Sequence, residues 1–443
     1  MSQVLAHLER FVLQYPKVER WFVAYSGGLD SSVLLHAMAK LNLEVPLEAV
    51  HVNHGLSDHA DSWAQHCREV CASLNLICHS HSVEVVARGR GLEDAAREAR
   101  YRIFEDRLGL NDGLLLAHHC DDQAETLMLR LMRGSGTRGL SAMASSRSLG
   151  KGHLYRPLLE LDREDLKNQA EAWDVSWIDD ESNGSTEFDR NFLRLKVFPE
   201  LSQRWPAMSQ QWSQSAQWCR QADELVNEVA AEDLARSCPQ SERLGDSVDL
   251  SVLEQFSAYR RGNALRLWFE QLGVALPDKA QLDMHDQQFI NARPDSAAEV
   301  RWGKVAIRHF KQRLFCLPVD MLDQPTPEAS SIEVKGWMGE MIPWGKGSIF
   351  LESVPEGGFT LPAKGFDLSS RRPGERCHPS WRDRSQSLKK LLQESGLEPW
   401  LRDQMPCLRV VDELAVVADL WHCKGVEAED GYGYRLCWRV MPQ

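Results

Sequence analysis

The chain has 443 residues, of which 43% are hydrophobic and 26% charged, a composition typical of a globular protein with two or three domains. No uncharged apolar run approaches the roughly 20 residues that a membrane helix needs, and the amphipathic N-terminus lacks a signal-peptide pattern, so we expect a cytoplasmic protein. The 11 cysteines include no C-x-x-C pair, which argues against a zinc ribbon, a cysteine-held iron–sulfur motif or a dithiol redox site.

The net charge of -13 argues, by itself, against a nucleic-acid partner. The charges are unevenly distributed, however. Residues 128–158 contain six basic and no acidic side chains, and residues 371–390 contain seven basic and two acidic side chains. We give these two basic zones more weight than the average, and they favour a nucleic-acid partner.

The first part of the chain alternates strand-like and helix-like patterns. This alternation predicts a doubly wound parallel sheet with helices on both faces, in which ligands bind at the carboxyl ends of the strands. The predicted strands are residues 20–25, 47–54, 76–85 and 113–119, and the predicted helices begin near residue 31 and span 57–74, 91–108 and 121–132.

The pattern changes after Pro199 to long helical spacing with few turn signals. We therefore predict a catalytic domain at residues 1–215 and a helical substrate-binding domain at 216–320. A connector rich in Pro and Gly follows at 321–359, and a small α+β domain at 360–443. The clearest C-terminal element is a helix in "SLKKLLQESG", which Gly396 is expected to cap.

The stretch "FVAYSGGLDSSVLLHAM" joins a predicted strand to a predicted helix through two glycines. Glycines let the backbone approach a ligand and adopt positive φ, and a helix start offers unpaired N–H groups, so together they form an anion cradle. A Walker loop would carry a lysine here, whereas this loop carries Asp30. A carboxylate beside phosphates requires a metal, and Asp30 is therefore a candidate Mg²⁺ ligand. The alternative is a Gly-Gly turn with an ordinary Asp cap.

The loop resembles the S-G-G-x-D-S signature of the N-type ATP pyrophosphatases, also called the PP-loop superfamily. This resemblance implies an adenine nucleotide alpha hydrolase-like fold and a loop that holds the pyrophosphate of ATP while a substrate oxygen attacks the α-phosphorus. ATP would be a substrate, with Mg²⁺ as cofactor. The residues that match the signature are Ser26, Gly27, Gly28, Leu29, Asp30 and Ser31.

Other motifs resemble the tRNA(Ile)-lysidine synthetase family in particular. They are "HVNHGL", "GLEDAAREARY", "AHHCDDQAETLMLRLMRGSGTRGL", "RPLL" and "DRNFLRLKVFPEL", with "RRPGERC" and "SLKKLLQESGLEPWLRDQMPCL" near the C-terminus. One departure is Glu181, where the family tends to show proline, and this puts the rigidity of the loop 180–183 in doubt. The resemblance implies an AMP-forming ligase that joins L-lysine to the wobble cytidine of the tRNA(Ile) with a CAU anticodon, through an adenylated cytidine.

Asp122 and Glu125 are three residues apart at the start of a predicted helix, so both carboxylates project from one face and suit a cationic ligand. An ordinary acidic helix start is the alternative reading. With the family resemblance, we expect this pair to bind the substrate lysine. The fixed guanidinium of Arg97 is expected to stabilise charge on the phosphates, although it would also suit a solvated helix position. His54 and His118 or His119 are further candidates for contacts with the nucleotide or the cytosine.

The basic residues are expected to bind the tRNA, which is recognised mainly by its shape and phosphates. No membrane association and no obligate protein partner is expected. The rival hypotheses are a tRNA thiolase, an amidotransferase-type ligase and a non-catalytic RNA-binding protein. The tRNA contacts predicted are Arg133, Arg138, Arg190, Arg194, Arg371, Arg372, Arg376, Lys389 and Lys390.

Overall fold

The fold is described by a computed structural model. It covers residues 2–55, 57, 59–85, 92–179, 184, 186–277, 298–332, 337, 340–362, 365–428 and 432–440. The loop 180–183, with its unusual Glu181, lies outside the described residues. The chain forms two compact units, Met1–Leu225 and Val226–Gln443. Among the described residues, no helix has the length and apolar character needed to cross a membrane.

The first unit is built on a six-stranded sheet in the order β3-β2-β1-β4-β6-β5. All neighbouring pairs run parallel except β5 and β6 at one edge, so the predicted doubly wound sheet is confirmed. The strands are β1 (Arg20–Ala24), β2 (Leu47–Asn53), β3 (Ile77–Ser82), β4 (Asp112–Leu115), β5 (Ser146–Leu149) and β6 (Gly152–Tyr155).

Helices cover both faces of this sheet because its central strand is apolar on both sides. Trp21 and Val23 of β1 pack in one core cluster, and Phe22 between them packs in another. Side chains alternate between the faces of a strand, so adjacent residues enter opposite cores. The helices of this region are α1 (Gln3–Leu13), α2 (Leu29–Lys40), α3 (Ala60–Ser73), α4 (Leu92–Arg107), α5 (Cys120–Met132), α6 (Thr137–Leu140) and α7 (Arg163–Ala172).

A helical stretch follows and runs across the boundary between the two units. It begins with α8, continues through a π-helical turn at Leu193–Val197, and passes into α9 with Pro199 in its first turn, where proline is tolerated. The elements are α8 (Asp189–Phe192), α9 (Phe198–Arg204) and α10 (Met208–Arg236).

The predicted helical domain contains helices and also an antiparallel sheet that the sequence analysis did not predict. The sheet has the order β7-β8-β11-β10-β9, and it packs on α12 through Leu265, Trp268 and Phe269. Its strands are β7 (Gln240–Ser241), β8 (Asp246–Asp249), β9 (Glu299–Trp302), β10 (Val305–Phe310) and β11 (Arg313–Pro318), and its helices are α11 (Leu250–Leu253), α12 (Ala258–Gln271) and α13 (Val319–Leu322).

The C-terminal region is α+β, as predicted, and strands from the predicted connector belong to its sheets. One sheet has the order β12-β15-β18-β19-β20, a second β13-β14-β21, and β16 pairs with β17. The predicted helix is present as α14 (Leu388–Ser395), and Gly396 ends it at φ +82°. The strands are β12 (Ser330–Ile332), β13 (Ile342–Trp344), β14 (Gly347–Val354), β15 (Phe366–Ser369), β16 (Arg376–Cys377), β17 (Gln386–Ser387), β18 (Cys407–Val410), β19 (Glu413–Val417), β20 (Trp421–His422) and β21 (Gly433–Arg439).

Candidate active site

The candidate site lies where the strand order of the first sheet reverses. β1 pairs with β2 on one side and with β4 on the other, and the connections leave these strands in opposite directions. Such a switch point opens a crevice at the carboxyl ends of the strands. The loop of residues 26–31 follows β1, and His118 and His119 follow β4. The two segments meet there, with His119 Nε2 3.6 Å from Asp30 Oδ2.

The loop after β1 is held by close packing around its first glycine. Gly27 has φ +87°, and a Cβ at this position would lie 2.7 Å from Ile178 Cδ1 and 3.1 Å from Cys67 Sγ. Its carbonyl accepts a hydrogen bond from the amide of Ile178 at 2.9 Å. Gly28, the N-cap of α2, has no side chain to cap the helix, so the positive end of the helix faces the loop.

The serines of the loop hydrogen-bond within it. Ser26 Oγ lies 3.1 Å from Ser31 Oγ, and Ser31 Oγ donates to the Gly28 carbonyl at 3.0 Å. The Gly28 amide points to Ser26 Oγ at 3.4 Å. The six residues that match the signature thus form one small loop that is suited to hold an anion.

Asp30 provides an oxygen that suits a divalent cation. Its Oδ1 is buried and accepts no hydrogen bond from the described residues, although Arg163 Nε lies 4.0 Å away. A free carboxylate oxygen is a typical Mg²⁺ ligand, and Mg²⁺ is often held by one or two carboxylates together with substrate phosphates. In the part of the chain that is described, no group of three or more His, Cys, Asp or Glu side chains forms a metal site of its own. The residues present therefore fit a cation that binds together with the nucleotide.

His119 is buried among three carboxylates. Its side chain is 1% exposed, and its ring nitrogens lie 3.5 to 3.6 Å from carboxylate oxygens of Asp30, Asp121 and Asp122. Burial lowers the pKa of His119, but these carboxylates outweigh it and hold the pKa above its usual value. A cationic imidazole would link the loop to the start of α5.

His118 next to it has the opposite environment. Burial, together with Arg156, Arg190 and Arg97, lowers its pKa to about 3 against the pull of Asp122. Its Nδ1 accepts a hydrogen bond from Arg156 Nε at 3.2 Å. His118 is therefore neutral at physiological pH. Sequence reasoning did not separate the two histidines, because Arg156 beside His118 and Asp30 beside His119 lie far from them in the chain.

The pair Asp122 and Glu125 lies on one face of α5, as predicted, and two arginines bind it. Arg190 Nε and Arg194 Nε each donate to Glu125 at 2.7 Å, and both guanidinium groups also reach Asp122 Oδ1, at 3.3 and 3.2 Å. Although burial raises the pKa of Asp122, His119 and the arginines lower it far below the usual value. Sequence reasoning assigned Arg190 and Arg194 to the tRNA and missed this contact. Their spacing of four residues on one helical face was the available signal.

Comparison with known proteins decides the family. A family model described as "PP-loop domain" matches residues 2–201, "TilS substrate binding domain" matches 249–315, and "TilS substrate C-terminal domain" matches 366–438. The tRNA(Ile)-lysidine synthase of Alkalilimnicola ehrlichii is 39% identical over 93% of this chain and 92% of its own length, and that of Serratia proteamaculans is 38% identical over 94% and 95%.

The chain belongs to the tRNA(Ile)-lysidine synthase family. It is an enzyme, a ligase with a PP-loop ATP-binding domain. Among solved structures, a U34-tRNA thiolase from Methanococcus maripaludis is similar over 48% of this chain and 77% of that chain, with 14% identity and a TM-score of 0.40.

Arg97 of this lysidine synthase family member lies against an aromatic ring. Its guanidinium carbon is 5.1 Å from the centre of the Tyr101 ring, and that of Arg147 is 5.2 Å from it. Burial raises the pKa of Tyr101, but Arg97, Arg156 and Arg147 outweigh it and lower the pKa below its usual value. The three arginines make this corner strongly positive, and the role of Arg97 towards phosphates stays a prediction.

His54 lies at the end of β2 and borders a pocket lined by Gly55 and residues 82–85. Arg133, directly after α5, and Arg138, in α6, are both exposed. The contacts of these residues with nucleotide or tRNA stay predictions.

The basic residues of the C-terminal region fall into two groups. Arg371 and Arg372 form ion pairs with Asp403 and Asp412, the second at 2.8 Å. Arg376 donates to the carbonyl of Ser385 at 2.7 Å. Lys389 and Lys390 are exposed on α14, and no ion pair with a described residue is seen for them. The two lysines are therefore the more available contacts for phosphate.

Proposed function

We propose that this enzyme attaches L-lysine to the wobble cytidine of the tRNA(Ile) that carries a CAU anticodon, with ATP as the second substrate. The product, lysidine, changes decoding from AUG to AUA and the amino-acid identity of the tRNA from methionine to isoleucine. Relatives that align with nearly the whole chain are named tRNA(Ile)-lysidine synthase. The proposal rests most on one observation: His119 Nε2 lies 3.6 Å from Asp30 Oδ2 of the anion-binding loop and 3.5 Å from Asp122 Oδ2 of the carboxylate pair, so the two sites are neighbours.

The reaction has two steps in which all atoms are accounted for. The O2 oxygen of the cytidine attacks the α-phosphorus of ATP, an O–P bond forms, and pyrophosphate leaves. The ε-amine of lysine then attacks C2 of the activated ring, the C2–O2 bond breaks, and AMP leaves with the former O2 oxygen. The amine releases a proton as the new C–N bond forms. Three substrates held together supply much of the rate enhancement through their proximity.

The residues of the loop would bind the phosphates of ATP through backbone amides and the N-terminus of α2. Asp30 would hold Mg²⁺, which would neutralise charge on the phosphates when bound. Asp122 and Glu125 would bind an ammonium group of lysine, and Arg97 would stabilise charge on the phosphates. His119, whose pKa the surrounding carboxylates raise against the effect of burial, would fix the distance between the loop and α5.

The thiolase alternative needs a reactive cysteine in the site, and the cysteine there is poorly suited. Cys120 is buried at the start of α5, and burial raises the pKa of its thiol to about 12. A thiol with such a pKa is protonated at neutral pH and is a weak nucleophile. Cys67, which packs against Gly27, is likewise buried with its pKa raised to about 12.

The decisive assay is mass spectrometry of the wobble nucleoside after incubation of the protein with ATP, lysine and CAU-anticodon tRNA(Ile). We expect a cytidine derivative that contains lysine, and no product when lysine or ATP is omitted. Asp30→Asn should abolish the product, whereas Asp106→Asn, at an exposed position of α4, should not. An unmodified cytidine with the wild-type protein, or full turnover by Asp30→Asn, would contradict the proposal.

A further inference from the structure

The carboxylates proposed to bind lysine already have all four of their oxygens occupied. Glu125 Oε1 accepts from Arg194 Nε, and Glu125 Oε2 accepts from Arg190 Nε at 2.7 Å and from Arg194 Nη2 at 3.0 Å. Asp122 Oδ1 accepts from both arginines, and Asp122 Oδ2 accepts from the backbone amide of His119 at 3.1 Å. Each oxygen could accept a further hydrogen bond, but the Glu125 side chain is 1% exposed, so an ammonium ion would reach it only if at least one guanidinium moved.

The arginines also lie between the carboxylates and solvent. The side chains of Glu125 and Asp122 are 1% and 11% exposed, whereas those of Arg190 and Arg194 are 30% and 28% exposed. The guanidinium groups therefore form an outer layer that covers an inner acidic layer. In this arrangement the guanidinium groups occupy the place in which the ammonium group of lysine is proposed to bind.

The covering segment has features of a part that can rearrange. Arg190 belongs to the four-residue helix α8 and Arg194 to the π-helical turn that follows it. Short π-helical turns are rare and occur often at functional sites. Leu193, between the two arginines, is 2% exposed and packs in a core cluster, whereas Phe192 and Leu195 are 48% and 40% exposed. The rearrangement is therefore one of the arginine side chains, which can turn away while the buried contact of Leu193 stays in place.

Displaced arginines need new anionic partners, because charge-assisted hydrogen bonds are the strongest contacts they make. The phosphates of a tRNA are such partners, and a guanidinium binds phosphate with the same two-pronged geometry that it uses for a carboxylate. An exchange of partners would release Asp122 and Glu125 at the time the tRNA arrives. The arginines would thus bind the carboxylates of Asp122 and Glu125 in the free enzyme and the phosphates of the tRNA in the complex.

We propose that Arg190 and Arg194 mask the lysine-binding carboxylates in the free enzyme, and that tRNA phosphates draw them away, so that lysine binds tightly only after tRNA. This inference rests on the proposed function, since it assigns lysine to Asp122 and Glu125. By thermodynamic linkage, lysine must then raise the affinity for tRNA by the same factor that tRNA raises the affinity for lysine. The enzyme would thereby avoid holding lysine in the site when no tRNA is present.

The first test is equilibrium dialysis of radiolabelled lysine with the full-length wild-type protein, without ATP, in the presence and absence of CAU-anticodon tRNA(Ile). We expect the dissociation constant for lysine to fall by about 5- to 150-fold when tRNA is added, the range typical of coupled sites. Equal dissociation constants in the two conditions would overturn the proposal. This comparison needs no variant and is therefore independent of any folding defect.

The second test uses Arg194→Gln, which removes the charge and most of the hydrogen bonds to Glu125. We expect this variant to bind lysine more tightly than the wild type without tRNA, and to show a smaller change when tRNA is added. Arg204→Gln, at an exposed arginine of α9, is the matched control and should behave as the wild type. Weaker lysine binding by Arg194→Gln would overturn the proposal, because it would make the arginine part of the lysine site.

The two proposals fail in different ways. If lysine is ligated to the tRNA but its affinity does not depend on tRNA, only the masking is wrong. If Glu125→Gln binds lysine as well as the wild type does, the assignment of lysine to this pair is wrong, and masking falls with it. If no lysine enters the tRNA at all, the proposed function itself is contradicted.

Discussion

Gly27 occupies a backbone conformation that a side chain would strain. Its φ of +87° lies in the left-handed region, and a Cβ would meet Ile178 Cδ1 at 2.7 Å. Gly28 next to it has φ -73°, and a Cβ there would meet Ser26 Oγ at an ordinary 3.6 Å. The first glycine is thus required by the fold of the loop, whereas the second leaves room for a ligand beside the helix end.

We predict that Gly27→Ala lowers the free energy of unfolding by about 1–3 kcal/mol, as expected for strained backbone, and weakens ATP binding. Gly28→Ala is the matched control and should change stability by much less. Chemical denaturation of both variants, with nucleotide binding measured on each, checks this. Equal loss of stability in the two variants would show that the positive φ of Gly27 is unimportant.

His118 and His119 should give stability opposite dependences on pH. The pKa of His118 is about 3 in the folded protein and 6.5 when unfolded, so between these values the unfolded state binds the extra proton and stability falls as the pH falls. The pKa of His119 is raised on folding, so its contribution is complete below 6.5 and is lost as the pH rises through the folded value.

We predict that His118→Gln reduces the loss of stability between pH 7 and pH 5 by about 2 kcal/mol, from 1.4 kcal/mol per pKa unit. His119→Gln should instead destabilise the protein more at low pH than at high pH. Urea denaturation at several pH values measures both, with His59→Gln at an exposed position as control. Parallel pH profiles for His118→Gln and the wild type would refute the assignment.

At the scale of elements, the local pattern predicted those parts of the fold that depend on neighbouring residues. The apolar strand β1 and the helix α14 with its Gly396 cap are examples, because alternation and capping act within a few residues. The sheet β7–β11 was missed because its strands are two to six residues long and β8, "DSVD", has no apolar alternation. Tertiary pairing rather than local propensity stabilises such strands.

The same reasoning explains which parts of the site could be predicted. The loop of residues 26–31 is a contiguous motif, so its place between β1 and α2 followed from sequence. The contact of Arg194 with Glu125 joins residues 69 apart, so the four-residue spacing of Arg190 and Arg194 indicated a shared face but not the partner that it meets. The opposite environments of His118 and His119 likewise depend on Arg156 and Asp30, which lie on other elements.

The helix α14 provides the clearest test of the predicted tRNA contacts. Lys389 and Lys390 are exposed there, whereas phosphates would have to compete with Asp403 and Asp412 for Arg371 and Arg372. Each lysine that contacts a phosphate releases a counterion on binding. We expect these two lysines to contribute more than the paired arginines.

We predict that Lys389→Gln with Lys390→Gln weakens tRNA binding and lowers the slope of log affinity against log salt concentration by about one per residue. ATP binding should be unchanged. Filter binding at several salt concentrations measures the slope, and Lys17→Gln, at an exposed lysine of the first unit outside the basic zones, is the control. An unaltered slope in the double variant would remove α14 from the tRNA-binding surface.

At the scale of the whole molecule, two compact units divide between Leu225 and Val226, inside the helix α10. The ATP-binding loop, the carboxylate pair and the masking arginines all belong to the first unit. The exposed lysines of α14 belong to the second. The net charge of -13 averages over basic zones in both units, so net charge alone does not argue against the proposed nucleic-acid partner. The predicted domain limits at residues 215, 320 and 359 stay predictions.

The central claim is that the cytidine O2 oxygen becomes bound to the α-phosphorus of ATP before lysine attacks. The most direct measurement is to label that oxygen with oxygen-18 in the CAU-anticodon tRNA, supply ATP and lysine, and analyse the released AMP by mass spectrometry. We predict that the label appears in AMP, because the C2–O2 bond breaks when lysine enters. Unlabelled AMP together with a lysine-modified tRNA would contradict the adenylated cytidine.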